Sequence, residues 1–382
     1  MVSSTAKPSE LKTVMLKKIS FLFIFLVLVG LWSIFFSSPV LAQNSQLIEA
    51  QVIKILEQKP ADLGPNQLAQ TYQKLELLVT KGDLKDQTIT IENGLIPLSD
   101  PQIYKPNDRL LLTLDHDTNN KTVFYITDYI RRDSLLLLFI IFAVLVVFVA
   151  KWKGLASLLS MALSFLIIFK LILPQLMAGS DPILVSILAS LFIIPLTFYL
   201  SHGFSRKTTI AVFGTLTSLI ITAFLAVIFV NLSHLSGFAS EEAGFLQVAT
   251  QGSINIKSLL ISGIIIGLLG ILDDITIAQS ALVFQLKATD PDLKPPKLFF
   301  RAMTVGQDHI ASMVNTLILV YAGAALPLLL LFIDNPEPFS QVINTELIAD
   351  EIIRTLIASI GLVLAVPITT FLAVFMSKEK SL

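Results

Sequence analysis

Apolar residues fill the second half of this chain in runs too long for a soluble core. A helix needs about 20 apolar residues to cross the hydrocarbon of a bilayer. Seven stretches reach or approach that size: Ser134–Ala150, Leu155–Met177, Pro182–Leu200, Thr208–Leu232, Ser258–Phe284, Ile310–Ile333 and Ile353–Met376. Connections are short except near residues 233–257, 285–309 and 334–352. Residues 43–130 follow a different rhythm. Runs at Glu49–Leu56, Tyr72–Thr80, Gln87–Glu92, Arg109–Leu114 and Thr122–Tyr129 are strand-like and end at turn signals such as Lys81-Gly82-Asp83 and Asn93-Gly94. Five short strands predict a small β-rich domain, OB-like in class.

At the N-terminus, Lys7, Lys12, Lys17 and Lys18 precede an apolar run, Ile19–Phe36, and then Val40-Leu41-Ala42 before Gln43. This is the pattern of a secretory signal. It is cleaved after Ala42 or retained as an anchor, and in either case residue 43 onward is exported. The expected organisation is residues 1–42 as signal, 43–130 as an exported β-rich domain, 134–376 as an α-helical polytopic membrane domain with about seven transmembrane helices, and 377–382 as a cytoplasmic tail.

Loop charge orients the spans. With residue 130 outside, the inner loops hold Lys151, Lys153, Arg206, Lys207, Lys287, Lys294, Lys297, Arg301, Lys378 and Lys380. The outer loops hold mainly acids, among them Asp181, Glu241, Glu242, Glu346, Asp350 and Glu351, with Lys257 and Arg354 at span edges. That separation is what the positive-inside rule demands. Arg131 and Arg132 run against it, but an exported domain translocates largely regardless of such charges. The chain is expected in a bacterial plasma membrane, with its N-terminal domain outside and its C-terminus in the cytoplasm.

Composition agrees and excludes several classes. Of 382 residues, 54% are hydrophobic and 14% charged, with a mean hydropathy of +0.77; a soluble domain carries about a quarter charged residues. A net charge of -1 leaves no nucleic-acid footprint. The absence of cysteine rules out disulfides, thiolate metal sites and cysteine nucleophiles.

Acid is scarce in the apolar runs, with two exceptions. One is Gly270-Ile271-Leu272-Asp273-Asp274-Ile275-Thr276-Ile277-Ala278-Gln279. The other is Gly306-Gln307-Asp308-His309-Ile310-Ala311-Ser312-Met313-Val314-Asn315-Thr316. A carboxylate at the centre of a membrane costs about 3 kcal/mol, so such groups are default functional candidates. Helical spacing puts Asp273, Thr276 and Ser280 on one face, and Asp308, Ser312 and Asn315 on another. Two such stripes can face each other across a cavity. Asp273, Asp274, Thr276, Gln279, Asp308, His309, Ser312 and Asn315 are therefore the candidate transport or ion-binding residues. Oxygen donors suit a hard cation, adjacent carboxylates suit proton coupling, and His309 can relay a proton.

The same residues admit a plainer reading. The fifth span can stop at Leu272, with Asp273-Asp274 starting an interfacial helix, and Gln307-Asp308 can cap the sixth span. Gly263, Gly267 and Gly270 read as a helix-packing stripe. Pro174, Pro195, Pro327 and Pro367 read as kinks, Pro327 equally as a hinge. Asp115, His116 and Asp117 have metal-ligand chemistry but sit in a loop signal beside Asn119-Asn120.

These two segments, with Tyr321-Ala322-Gly323-Ala324-Ala325-Leu326-Pro327, resemble the YibE/F family of bacterial membrane proteins, and the likeness runs from about the exported domain to the C-terminus. The resemblance implies a multi-spanning membrane protein and no particular activity. Enzyme signatures are missing: the chain has no His-Glu-x-x-His, Gly-x-Ser-x-Gly, P-loop or Gly-x-Gly-Asp. The expected function is therefore non-enzymatic and without cofactor. The first reading is a secondary transporter or permease for an ion or small solute. The second is a membrane scaffold whose exported domain binds a partner. Expected partners are the lipid bilayer, a cation or small solute, and a second copy or another membrane protein.

Overall fold

The computed structural model describes residues 47–61, 70–95, 102–116, 122–333 and 338–377. The expected signal (1–42), Asp117 and the tail beyond Ser377 lie outside the described residues, as do the side chains of Asp115 and His116. The chain divides into two compact units, one ending at Leu145 and the other starting at Val146.

Five strands build the first unit: β1 (Leu47–Pro60), β2 (Thr71–Lys81), β3 (Thr88–Asn93), β4 (Arg109–His116) and β5 (Thr122–Tyr129). They form one antiparallel sheet in the order β3-β2-β1-β4-β5. Every strand run predicted from alternation falls on one of them. The alternation does the sorting: Ile48, Ala50 and Val52 of β1 share a core with Leu75, Leu77 and Val79 of β2 and Leu110 and Leu112 of β4. Strand β1 serves two neighbours. It pairs with β4 through Leu47–Gln51 and with β2 through Glu49–Pro60, and register shifts near Glu49, Val52 and Ile55 bend it between them.

Glu49 is a buried carboxylate on that central strand, 7% exposed. Such a group needs a partner, and Arg132 at the start of the first helix supplies one. Its two guanidinium nitrogens donate to Glu49 Oε1 and Oε2, both at 2.7 Å, and this bond holds the carboxyl below its ordinary range.

Helices build the rest. They are α1 (Arg132–Ile167), a π-helical turn (Ile168–Ile172), α2 (Leu173–Met177), α3 (Pro182–His202), α4 (Arg206–Leu232), α5 (Glu241–Ala249), α6 (Ile256–Thr289), α7 (Pro295–Ala324), α8 (Leu326–Ile333), α9 (Phe339–Val342) and α10 (Glu346–Met376). The π turn precedes Pro174, whose ring cannot tolerate the carbonyl four residues back in a regular α-helix.

Among the described residues, five helices are long and apolar enough to cross a membrane, or six if α7 and α8 are one broken span. This differs from the seven separate spans expected, for a local reason. Ser134–Ala150 and Leu155–Met177 fall in one stretch of 46 residues, Arg132–Met177, that counts once although a kink divides it into two helices. Lys151 interrupts them with φ 53° and ψ −130°, a conformation L residues rarely adopt. A side chain on Gly154 would strike the carbonyl of Val146. Eight residues of straight helix would separate those positions by about 12 Å, so the chain folds back at Lys151.

The sixth predicted span, Ile310–Ile333, is also altered. It starts much earlier, at Pro295, and bends by 69° between α7 and α8. Pro327 is the second residue of α8 and has no N–H to carry the helix through. The segment 285–309, expected as a loop, is thus mostly helix. Pro195 and Pro367 lie inside unbroken helices.

Helices α4, α6 and α10 pack together around a core that includes Ala211, Leu219 and Ala226, Ile265, Leu268 and Leu272, and Ile357, Ala365 and Val366. Helix α3 lies against α6, and α7 against α10.

Candidate functional site

The middle of this three-helix contact is polar. Helix α4 buries Thr215, Ser218 and Thr222, α6 buries Thr276, Gln279 and Ser280, and α10 buries Thr369 and Thr370. Each group comes from a helical stripe of small hydroxyl residues in an otherwise apolar span, and glycines let the backbones close over them. A Cβ on Gly361 of α10 would come within 2.7 Å of Thr222 Oγ1. Gly214 of α4 meets Thr369 still more closely.

The hydroxyls of Thr215 and Thr276 lie 2.7 Å apart, so one donates to the other, and the accepting one donates back to its own helix, Thr215 to Ala211 O or Thr276 to Leu272 O. Gln279 spends both amide hydrogens across helix boundaries, on Ala302 O of α7 at 3.0 Å and Thr370 Oγ1 of α10 at 2.8 Å. Ala302 O can only accept, which fixes the amide orientation and leaves Gln279 Oε1 beside Gly306 of α7. Ser280 donates to Lys207 O at the start of α4.

Among the described residues, three buried oxygens in this region have no hydrogen-bond partner: Asp273 Oδ1, Gln279 Oε1 and Thr369 Oγ1. Asp273 and Gln279 lie six residues apart on α6, about 1.7 turns and so about 120° apart around the helix, and Thr369 adjoins the threonine that Gln279 holds. A buried acceptor without a donor costs about 1–3 kcal/mol. They are a carboxylate, an amide carbonyl and a hydroxyl, each able to accept from a proton donor or to face a cation. Among the described residues no three His, Asp or Glu side chains come together as a metal site.

The structure divides the eight predicted residues. Asp273 is half-buried on α6, Thr276 is fully buried against α4, and Gln279 is fully buried against α7 and α10. Asp274 is exposed on another face of α6, within electrostatic reach of His202. Asp308, His309, Ser312 and Asn315 are all exposed on α7, with Asp308, Ser312 and Asn315 on the side away from its buried residues Ala302, Gly306 and Leu317 and His309 nearer to them. The two acidic stripes therefore do not face each other within one chain. They do share a level. From the Gln279–Ala302 contact, six residues lead to Asp273 along α6 and six to Asp308 along α7, about 9 Å in each case.

Neither acidic site starts a helix, as capping would require. Helix α6 runs unbroken through Asp273-Asp274 to Thr289, and Asp308 lies deep inside α7, whose N-cap is Lys294. The glycine stripe is also corrected. Gly263, Gly267 and Gly270 meet nothing within 4 Å, and the tight approaches occur at Gly214, Gly306 and Gly361.

Sequence reasoning missed the α4 and α10 partners. The signal was present as hydroxyl residues at positions 208, 215, 218 and 222, spaced by seven, three and four, which is one helical face.

Comparison with curated proteins and with solved structures gives no match. A family model described as YibE/F-like protein matches residues 138–379, most of the chain and all of the polar seam, and the chain belongs to that family.

Proposed function

We propose that this protein is a polytopic plasma-membrane permease that moves a proton or a small cation, alone or coupled to a solute, through the polar seam of α4, α6 and α10. The observation that carries the reading is the set of buried, unbonded oxygens on Asp273, Gln279 and Thr369. One carboxylate with neutral oxygens suits a proton or a monovalent cation better than a divalent one, which draws on more carboxylates. Asp273 would be the titrating group, Gln279 the carbonyl ligand and Thr369 the hydroxyl ligand, while Thr215 and Thr276 hold the helices in register.

Treating the two arms at Lys151 as separate crossings, and α7 with α8 as one, gives seven spans. The charge pattern then favours the β-rich unit outside and the C-terminus inside. Asp273 lies seven residues, about 10 Å of helix, from Ser280, which bonds Lys207 at the basic end. That depth suits a site reached from the cytoplasm.

A scaffold reading has one observation in its favour. The seam is closely packed, with Gly214 against Thr369 and Gly361 against Thr222, as a static bundle would be.

Thermal unfolding of detergent-purified protein across monovalent cations, divalent cations and pH separates the two. A ligand at 100 times its dissociation constant stabilises by about 2.7 kcal/mol. The permease reading expects a shift with one ion or one pH step that Asp273→Asn removes and Asp274→Asn keeps. A flat response in the wild type supports the scaffold.

A further inference from the structure

The bend between α7 and α8 opens a cleft against α10, with a volume of about 280 Å³. A water in the liquid takes roughly 30 Å³. The turn of 69° sends α8 away from the line of α7, and Ala322 and Ala325 leave the inside of the elbow without bulk. Leu328 of α8 and Ile352 and Leu356 of α10 supply apolar walls. Folded proteins keep few voids larger than a water, and a buried water needs two to four polar partners. No described residue fills this cleft, and most of its wall offers no such partner. An apolar group from outside the chain suits it better than water.

One part of the cleft is charged. Glu351 lines it beside Tyr321 and Thr355. Arg354, three residues on along α10, is 38% exposed and gives one nitrogen to Asp350. Arg354 and Glu351 both act electrostatically on Tyr321. Depth along α10 gives these charges a meaning. The helix has 31 residues, about 46 Å at 1.5 Å each, close to the 40–45 Å or so of a bilayer with its headgroups. Glu351 lies five residues from the start at Glu346, about 8 Å in, at the base of the headgroup layer. Leu356 lies about 15 Å in, among hydrocarbon.

We infer that this cleft holds one membrane phospholipid whose headgroup carries a primary amine. An acyl chain covers the apolar wall. The ammonium meets the Glu351 carboxylate, and the phosphate meets Arg354, whose guanidinium has donors beyond the one that Asp350 takes. The order along α10 from its start is acid, base, apolar wall. It matches amine, phosphate and tail in such a lipid. A headgroup without an amine leaves Glu351 facing a phosphate of like charge. A quaternary ammonium brings the charge but no N–H to donate. The inference needs these helices to span a membrane and is independent of what the α4–α6–α10 seam carries.

Delipidated full-length protein in detergent would be titrated with phosphatidylethanolamine, phosphatidylcholine and phosphatidylglycerol of identical acyl chains. Native mass spectrometry would count the lipids bound per chain, whether or not the protein moves ions. The expected result is a one-lipid complex, several-fold more abundant with the ethanolamine lipid than with the other two. Ala322→Phe, which places a ring in the cleft, should cut that complex several-fold. Val320→Phe, exposed outside the cleft, should leave it unchanged. Glu351→Gln should bring the ethanolamine lipid down to the level of the choline lipid. Thermal melting shows which variants are folded, and if Ala322→Phe is not, the Glu351→Gln comparison decides alone. Equal binding of the three lipids, or an ethanolamine preference that survives Glu351→Gln, would overturn the proposal. So would a complex undiminished in folded Ala322→Phe.

Discussion

Gly306 gives the sharpest test of how the helices meet. Its Cα faces α6 and α10, and an added methyl would lie 2.6 Å from Val366 Cγ1 and 3.0 Å from Gln279 Nε2. Carbon atoms pack at about 3.5–4.0 Å, so roughly 1 Å has to be found. Neither neighbour yields it easily. Val366 is fully buried, and Gln279 is pinned by bonds to Ala302 O and Thr370 Oγ1. Helix α7 must shift, at about 1–3 kcal/mol for an overpacked contact. Gly263→Ala is the matched control, because nothing lies within 4 Å of its new methyl. Both variants gain the same helix propensity, up to about 1 kcal/mol, and that gain cancels between them. Gly306→Ala should therefore melt below Gly263→Ala by about 2–12 °C, taking about 2–4 °C per kcal/mol for a domain of this size. The two tryptophans allow intrinsic fluorescence to follow unfolding in detergent. Adding Val366→Ala to Gly306→Ala should recover part of the loss. If Gly306→Ala melts at or above the control, the described packing of α6, α7 and α10 is wrong.

Other outcomes follow from the same contacts. Glu49 has its carboxyl held below the ordinary value of 4.5 by Arg132, so its contribution is complete above that pH and disappears as pH falls through the lower folded value. Glu49→Gln should cost the β-rich unit about 1–2 kcal/mol at neutral pH, discounted for the half-exposed arginine, and should flatten its acid sensitivity; hydrogen exchange of β1 and β4 reads both. Asp350 and Arg354 form an ion pair at 3.1 Å on α10, with Asp350 Oδ1 and Arg354 Nε unbonded among the described residues. Arg354→Met should destabilise by about 1–3 kcal/mol by stranding a buried acid, and Asp350→Leu added to it should restore most of the loss in thermal melts.

Much of the architecture was legible because hydrophobic period reports burial directly. Alternation located all five strands, and long apolar runs located the helices. What hydropathy does not carry is continuity. Lys151-Trp152-Lys153 reads as a loop between two spans, and the chain makes that break with one non-helical residue, Lys151. Asp273-Asp274 and Gln307-Asp308 looked like helix boundaries, but apolar packing on the opposite faces carries α6 and α7 straight through them. Facing was the harder quantity. The 3.6-residue period groups Asp308, Ser312 and Asn315 on one face without saying what that face meets, and it meets no other part of the described chain. In the same way, Gly263, Gly267 and Gly270 have the spacing of a packing motif, but close approach depends on the partner. Gly214, Gly306 and Gly361 stand alone in sequence and become contacts only when Thr369, Val366 and Thr222 arrive from other helices. Thr276 and Gln279 were found because they neighbour the acids, whereas Thr215 and Thr369 have no acid nearby to mark them.

The most direct test of the central claim is ion flux. Purified protein would be reconstituted into vesicles holding a pH-sensitive dye, with a potassium gradient and valinomycin to set the membrane potential, and external sodium, potassium or lithium varied in turn. The account predicts proton or cation-dependent pH change faster than in protein-free vesicles, abolished by Asp273→Asn, strongly reduced by Gln279→Leu and retained by Asp308→Asn. Flux that survives Asp273→Asn, or wild-type vesicles that match protein-free ones under every ion, would contradict it.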